Sequence, residues 1–255
     1  MSDSPLYLLH LRPDARLLAA WVARHHARHE RQPSDLGDAL HGLLRAAFGD
    51  AAPQPFRYLD ERQGLLAYTR LDAEAMRAHV ERAEGLVAET LGLRATALHD
   101  GFRLRPFPTR WPEGRVLGFE VRVCPTVRTA NGERNAYQRA DDHEDDAPAR
   151  REAAYVQWLL TRLDVPEGGT RENWQGAVEL LPDVHLAAYQ RQRTTRRTQA
   201  IAGRKRERHV IDNPDAVLKG HLRVRDPAAF AHLLARGVGR HRAFGFGMLL
   251  LSPAA

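Results

Sequence analysis

Residues 56–70, FRYLDERQGLLAYTR, predict a β-hairpin in the first half of the chain. Phe56–Asp60 and Leu65–Arg70 alternate apolar and polar side chains, which is the pattern of strands with one buried face. Gln63 and Gly64 fit the turn between them, because glycine accepts the backbone angles that tight turns require. This hairpin is the reference point in the sequence from which the neighbouring elements are assigned.

Upstream of the hairpin the sequence predicts one strand and two helices. Leu6–Leu11 is a short apolar segment typical of a strand. Asp14–Arg31 has an apolar side typical of a helix, and Pro33 ends it. Ser34 fits the N-cap of the second helix, in which leucines recur at helical spacing up to Phe48.

Downstream of the hairpin the sequence predicts a helix and then a strand. Asp72–Leu91 has helical periodicity and ends at Gly92, a residue that often terminates helices. A strand near Gly101–Leu104 completes the set. The first hundred residues therefore follow the order β-α-β-β-α-β of a ferredoxin-like unit, with one additional helix.

The second half of the chain predicts the same order again, after a proline-rich linker at Pro106–Gly114. The predicted elements are a strand at Val116–Val123, a helix at Arg151–Leu163, strands at Val178–Tyr189 and Ala216–Arg225, a helix at Pro227–Arg236 and a strand at Met248–Leu251. We expect an α+β protein with tandem ferredoxin-like (RRM-like) domains. The predicted limits are 1–105 for the first domain and 115–255 for the second.

The composition favours a folded protein that binds a polyanion. Of the 255 residues 43% are hydrophobic, which is enough to bury a core, and the formal net charge is +6. Lysine occurs only at Lys205 and Lys219, so arginine, which binds phosphate with a planar fork, supplies the excess. A genome rich in G and C would explain much of the same bias. Cys124 is the single cysteine, so the chain contains no disulfide framework and no cysteine-based zinc site.

The sequence predicts neither a membrane protein nor a metalloprotein. No apolar run is long enough to span a bilayer and no signal peptide opens the chain, so we expect a cytoplasmic protein. The acidic run Asp141–Asp146 is interpreted as a solvated loop, because its like charges repel and nothing fixes a ligand geometry. No metal and no cofactor are expected.

A glycine-rich segment near the C-terminus is the most informative motif. Residues 237–247, GVGRHRAFGFG, lie between a predicted helix and a predicted strand. Glycines permit positive φ and close backbone approach, and the interleaved basic side chains can accompany backbone N–H groups to a phosphate chain. The predicted RNA contacts in this segment are Gly239, Arg240, His241, Arg242, Gly245 and Gly247.

The glycine-rich segment resembles the C-terminal signature of the CRISPR-associated repeat endoribonucleases. The similarity is to the CasE type, the crRNA-processing subunit of type I-E Cascade. Further segments that resemble family motifs, in the same order along the chain, are ALHGLL at 39–44, FEVRVCP at 119–125, EAAYVQWL at 152–159 and KGHLRVRDP at 219–227.

The resemblance implies a tandem ferredoxin-like fold, recognition of a CRISPR repeat stem-loop, and metal-independent cleavage that leaves a 2′,3′-cyclic phosphate and a 5′-hydroxyl. It also implies that other subunits of a Cascade-like complex are partners. His41 matches the position of the family's catalytic histidine. The helix at Asp14–Arg31 looks like an insertion, and Asp38 stands where the family often has an aromatic hydroxyl.

His41 is also the preferred proton carrier on physical grounds. It falls at the edge of the apolar stripe of its helix, and histidine titrates near neutral pH. The alternatives are an ordinary surface or core histidine, or catalysis by His25, His26 or His29. His25 and His29 have a spacing that can bind metal, but the HExxH pattern and a third ligand are missing. The neighbouring residues predicted to contact phosphate are Arg24, Arg28 and Arg31. The alternatives for these arginines are a role as active-site cations and an ordinary solvated helix surface.

The densest basic segment is 191–208, in which Gly203 marks a turn. We interpret it as a long basic hairpin or flexible arm that lies along an RNA stem, since such a run of like charges usually has a polyanionic partner. A solvated loop is the alternative. Its predicted RNA contacts are Arg191, Arg193, Arg196, Arg197, Arg204, Lys205, Arg206 and Arg208. Two other functions remain open: a non-catalytic subunit that binds structured RNA, and a nuclease with a metal at 141–146.

Overall fold

The computed structural model describes residues 5–29, 36–95, 101–129, 132–137, 148–164, 172–197 and 208–254. The first half contains a four-stranded antiparallel sheet in the order β2-β3-β1-β4. Its strands are β1 (Leu6–Leu11), β2 (Phe56–Asp60), β3 (Gly64–Thr69) and β4 (Arg103–Phe107). β4 extends into the predicted linker, because Leu6 pairs with Phe107 and so carries the ladder past Leu104.

The helices described beside this sheet are α1 (Ala15–His29), α2 (Leu36–Phe48), α3 (Ala73–Arg82) and α4 (Gly85–Thr90). Asp14 caps α1, since its carboxylate accepts hydrogen bonds from the backbone N–H groups of Arg16 and Leu17 at 2.9 Å. The single helix predicted at Asp72–Leu91 was wrong. The chain breaks after α3, where the Arg94 guanidinium donates to the carbonyls of Val80 and Ala83.

The second half contains a larger antiparallel sheet, and two helices flank it among the residues that the structure describes. Its strands are β5 (Val116–Val123), β8 (Val178–Leu180), β9 (His185–Arg197), β10 (Arg208–Val224) and β11 (Leu249–Pro253), and its helices are α5 (Pro148–Leu163) and α6 (Pro227–Arg236). The strand order is β11-β5-β10-β8, with β9 paired to the remaining length of β10. A small hairpin, β6 (Thr126–Thr129) and β7 (Gly132–Asn135), follows β5 and was not predicted.

Both halves have the strand order of a ferredoxin-like unit, which confirms the predicted fold class. In each half the first strand lies between the third and fourth, and the second strand lies outside the third. The single strand predicted at Val178–Tyr189 was wrong, because a turn at residues 181–184 separates β8 from β9. The domain limits 1–105 and 115–255 stay a prediction.

Two hydrophobic cores lie under the helices, and the first sheet contributes to both. Leu9 and Leu11 of β1 pack with the buried leucines of α2, whereas Leu6 of the same strand packs with the core of the second half. Tyr68 joins the halves: its buried hydroxyl donates to the carbonyl oxygen of Leu249 at 2.9 Å. The two halves are therefore joined at this end of the sheets.

None of the described helices is long and apolar enough to cross a membrane.

Candidate active site

The candidate site lies where α2 of the first half meets the glycine-rich segment of the second. Leu40, Leu43 and Leu44 are buried on α2, and His41 is half-buried at the edge of that apolar face. Its imidazole packs against the ring of Phe244, with the two ring centroids 4.9 Å apart and the planes tilted by 55°. The helix thus fixes the backbone of His41, and the segment at 237–247 fixes one side of its ring.

Gly37 permits this close approach one turn before His41. A Cβ atom at position 37 would lie 2.3 Å from the carbonyl oxygen of Phe244, well inside the contact distance of two heavy atoms. Any side chain at this position would therefore push the helix and the glycine-rich segment apart. The helical pattern of α2 gave no sign of this requirement, because Gly37 faces a segment about two hundred residues away in sequence.

The glycine-rich segment forms a compact loop that is anchored to the second sheet. The N–H of Val238 donates to the carbonyl of Gly247 at 2.8 Å, and the N–H of Gly247 donates to the carbonyl of Arg122 at 2.7 Å. Positive φ at Gly239, Gly245 and Gly247 allows the chain to turn back on itself. A 3₁₀ turn at Arg242–Phe244 presents Phe244 to His41.

The surroundings of His41 favour its neutral form. Burial lowers the pKa of His41, and the positive charge of Arg45, one turn further along α2, lowers it as well. Within the described part of the chain, the imidazole nitrogens make no hydrogen bond. A neutral imidazole with an open nitrogen can accept a proton from a bound hydroxyl group.

Two half-buried arginines on the strands beside the loop were not among the predicted site residues. Arg122 of β5 forms a bidentate ion pair with the buried Asp215, with both N–O distances at 2.7 Å. Arg57 of β2 reaches across to Glu120 at 3.4 Å. Burial is the main cause that lowers the pKa of Arg57, and the nearby charge of Arg122 adds to it.

The sequence held a partial signal for only one of these arginines. Arg122 lies within the motif at 119–125, but the motif alone does not show which of its side chains faces the site. Arg57 alternates with apolar residues in a predicted hairpin, where an arginine is ordinarily taken for a solvated side chain. Its burial follows from the packing of one sheet against the other, which is not encoded locally.

The basic side chains of the loop are largely bound by the protein itself. Arg240 forms an ion pair with Glu133 of β7, and the His241 ring lies 3.7 Å from the same carboxylate. Arg242 donates to the carbonyl of Arg236 at 2.9 Å, and burial lowers its pKa. These contacts tie the loop to β7 and to the end of α6.

Comparison with known proteins assigns the family. A family model described as "CRISPR associated protein" matches residues 6–253. The chain belongs to this family. The resemblance predicted from the motifs is therefore confirmed at the level of the family. A search of curated proteins finds no match to the sequence.

Solved structures share the fold of this CRISPR-associated protein. A CRISPR endoribonuclease Cse3 bound to a 19-nucleotide RNA is 19% identical, with a TM-score of 0.60 over 98% of this chain and 100% of the other. Cse3 of Thermus thermophilus, bound to an RNA representing a pre-cleavage complex, is 20% identical with a TM-score of 0.55 over 98% and 100%. A chain of a CRISPR RNA-guided surveillance complex is 18% identical with a TM-score of 0.52 over 97% and 100%.

The basic segment of this family member forms a long two-stranded ribbon. β9 and β10 pair without interruption from Tyr189 and Ala216 to Arg197 and Arg208. Arg191, Arg193, Arg196, Arg197 and Arg208 therefore belong to paired strands, and Arg191 is exposed. Arg204, Lys205, Arg206 and the predicted turn at Gly203 lie outside the described residues.

The remaining predicted residues are described only in part. Arg24 is exposed on α1, and Arg28, His25, His26 and His29 belong to the same helix by their backbone. Arg31, Ser34 and the acidic run at 141–146 lie outside the described residues. Cys124 is buried directly after β5. Among the residues that the structure describes, no three histidine, cysteine or acidic side chains form a group that could hold a metal ion.

Proposed function

We propose that this CRISPR-associated protein is an endoribonuclease of the CasE type, which cleaves repeat stem-loops in precursor CRISPR RNA to give mature crRNA. The observation that carries the proposal is the packing of His41 against Phe244, because it brings the family's histidine motif and its glycine-rich signature together at one site. Solved proteins with this fold over their whole length include a CRISPR endoribonuclease with bound RNA, which supports the same activity here.

The proposed chemistry uses the RNA's own 2′-hydroxyl. Neutral His41 removes the hydroxyl proton, the 2′-oxygen forms a bond to the adjacent phosphorus, and the bond from phosphorus to the 5′-oxygen breaks. The 5′-oxygen leaves as a hydroxyl after it takes up a proton from water, and a 2′,3′-cyclic phosphate remains. Cationic side chains beside the site stabilise the charge on the phosphorane. Arg45 is one of them, and its ion pair with Asp50, at 2.8 Å, is exposed to solvent. No metal ion takes part.

RNA binding is assigned to the basic surfaces on either side of this site. The β9–β10 ribbon lies along the phosphates of the stem, and the exposed Arg24 on α1 offers a further contact. Arg240 and Arg242 act mainly by holding the loop in shape. A solved neighbour is a chain of an RNA-guided surveillance complex, so we propose that the processed RNA brings this protein into a Cascade-like assembly.

The decisive experiment is cleavage of the repeat RNA from the neighbouring CRISPR array in the presence of EDTA. The intact RNA is compared with the same RNA carrying one 2′-deoxy nucleotide at the cut site. We expect the intact RNA to be cut and the deoxy RNA to be bound with equal affinity but left whole. The products should carry a cyclic phosphate and a 5′-hydroxyl, which mass spectrometry distinguishes from the products of metal-dependent hydrolysis.

Other outcomes assign the protein to a different class. If both RNAs bind tightly and neither is cut, the protein is a binding subunit and His41 has no catalytic role. If EDTA abolishes cleavage, the chemistry depends on metal, and the acidic run at 141–146 becomes the first place to look for ligands.

A further inference from the structure

A pocket of about 220 Å³ opens beside His41, between α2 and the second sheet. Its walls combine apolar and polar surface, and the aromatic and aliphatic side chains among them include Leu40, Phe56, Tyr58 and Phe244. Its polar side chains besides Tyr58 are Arg122 and Gln190, which come from the second half. A pocket of this size is smaller than the clefts of roughly 300–1,000 Å³ that take drug-sized ligands, and it suits one flat ring system.

Asp215 holds both of these polar groups in position. It is buried with 4% exposure, and it lies directly opposite Gln190 in the pairing of β9 with β10. One carboxylate oxygen accepts from Nε of Arg122 at 2.7 Å. The other accepts from Nη2 of Arg122 at 2.7 Å and from Nε2 of Gln190 at 2.6 Å. The ring of Phe246 lies 4.4 Å from the Arg122 guanidinium carbon and stabilises it further.

This arrangement leaves Nη1 of Arg122 as a donor and Oε1 of Gln190 as an acceptor for a ligand, beside the hydroxyl of Tyr58, which also lines the pocket. Nη1 of Arg122 lies beside Gly245 at the pocket, and it has no hydrogen-bond partner among the described residues. Because Nε2 of Gln190 is engaged by Asp215, the orientation of the amide is fixed and its Oε1 remains an acceptor. The positive charge of Arg122 is balanced by Asp215, so the pocket does not have the excess charge that a phosphate group would require.

A planar group that carries both donors and acceptors at its edge fits these features best, and RNA supplies one in each nucleobase. An unpaired base can pack its faces on the aromatic walls and offer its Watson–Crick edge to Arg122 and Gln190. We propose that this pocket takes the unpaired nucleobase next to the cleaved phosphate, and that Arg122 and Gln190 select it. The assignment of the cleaved phosphate rests on the proposed function.

The pocket is placed beside the scissile phosphate because Phe244 and α2 contribute both to the pocket and to the surroundings of His41. Phe244 packs on His41 with one part of its ring and lines the pocket, and Leu40, the neighbour of His41 on α2, lines it too. A nucleotide whose phosphate lies at His41 therefore has its own base, or the adjacent base, within reach of the pocket. Holding that base out of the stack would also orient the 2′-hydroxyl for attack, as in enzymes that act on extruded bases.

The test combines base changes in the RNA with one change in the pocket. Repeat RNAs carry each of the four bases, or an abasic site, at either nucleotide that flanks the cut. In the unmodified protein, we expect the abasic site at one of the two positions to slow single-turnover cleavage at least tenfold. Gln190→Met keeps the length of the side chain and the Arg122–Asp215 pair, and we expect it to reduce the ratio of rates between the best and the worst base to near one.

Gln157→Met is the matched control, because Gln157 is exposed on α5 and lies away from the pocket. It should retain the base preference of the unmodified protein. A second readout does not need cleavage: 2-aminopurine at the same nucleotide of the 2′-deoxy RNA should change its fluorescence on binding, and Gln190→Met should weaken that change. This readout separates a failure of the pocket from a failure of the proposed activity.

The inference is overturned if the cleavage rate does not depend on either flanking base and the fluorescence of 2-aminopurine at these nucleotides does not change on binding. It is also overturned if Gln190→Met keeps the full base preference. In either case the unmodified protein still cuts the repeat, so the proposed function stands. If the RNA is bound and never cut but the fluorescence change depends on Gln190, the base pocket is supported and the nuclease assignment fails.

Discussion

The two ferredoxin-like units of this protein share a strand order but place different chemistry on the corresponding crossover helix. In the first unit the helix is α2, whose half-buried edge carries His41 with no described hydrogen-bond partner. In the second it is α5, where Trp158 is buried and donates to the carbonyl of Thr126 at 3.0 Å. Under the proposed function, the same position in the topology carries a reactive residue in one unit and a structural residue in the other.

The hairpins formed by the second and third strands of each unit also differ in their chemistry. β2 and β3 are joined by a tight turn in which the Asp60 carboxylate accepts from the N–H groups of Arg62 and Gln63 at 2.8 and 2.6 Å. The corresponding pair β9 and β10 runs well beyond the rest of its sheet and carries many arginines. Under the proposed function, the first unit supplies the proton carrier, and the second supplies the ribbon that binds RNA and the loop that meets α2.

Removing the histidine of the first unit tests this division most strongly. We expect His41→Ala to lower single-turnover cleavage of the repeat RNA by about 10²–10⁴-fold, the usual contribution of a general acid or base. The affinity for 2′-deoxy RNA should stay within a factor of about two, because the imidazole is a small part of the binding surface. Gel assays at saturating protein give the rate, and filter binding gives the affinity.

His232→Ala is the matched control, since His232 lies on α6 of the second unit, away from the site. It should leave both quantities unchanged. If His41→Ala cuts at the normal rate, the site assignment is wrong, and the histidines of α1 become the next candidates.

The contact between the two units is tested at Gly37. The Cβ of Gly37→Ala would meet the carbonyl oxygen of Phe244, so the loop must move away from His41. We expect a loss of up to about 10²-fold in cleavage, because small misplacements of catalytic groups are costly. We expect a loss of about 1–3 kcal/mol in the free energy of unfolding, as for other overpacked sites. Single-turnover assays and urea denaturation measure the two effects.

Gly85→Ala provides the comparison, because a Cβ at this position in α4 meets no atom within 4 Å. It should leave cleavage unchanged and leave the free energy of unfolding unchanged or slightly higher, because alanine favours a helix more than glycine does. If Gly37→Ala is tolerated as well as Gly85→Ala, the close approach of α2 to Phe244 does not constrain the site.

The elements set by local patterns could be predicted from the sequence, and the elements set by distant partners could not. The alternation at 56–70 and the helical spacing of the α2 leucines each describe one element and its buried face. The break between α3 and α4 could not be predicted in this way, because Arg94, twelve residues after Arg82, satisfies the exposed carbonyls. The full length of β10 is likewise fixed by its pairing with β9.

The candidate site divides along the same line. His41 and the glycine-rich loop could be identified because motifs name residue types at fixed spacing. The pocket walls could not, since Phe56, Arg122 and Gln190 come from three strands far apart in sequence. The loop arginines were predicted to contact RNA because they are interleaved with glycines in a loop between a helix and a strand. Charge does not indicate that Glu133 and the carbonyl of Arg236 already engage Arg240 and Arg242.

The smallest expected effect concerns the pH at which His41 gains its proton. A general base must be neutral, so cleavage should fall as the pH drops through the pKa of His41. Burial and the charge of Arg45 lower that pKa from its ordinary value.

Arg45→Met removes the charge and leaves the burial of His41 unchanged. The acidic limb of the rate profile should therefore move to higher pH without returning to that of a solvated histidine. The rate at the plateau should fall, because the charge of Arg45 also stabilises the phosphorane. Arg77→Met, at an exposed site on α3, is the control and should leave the limb in place. A limb that moves to lower pH, or that moves equally in the control, would mean that the titrating group is not His41, because removing a nearby positive charge can only make protonation of this histidine easier.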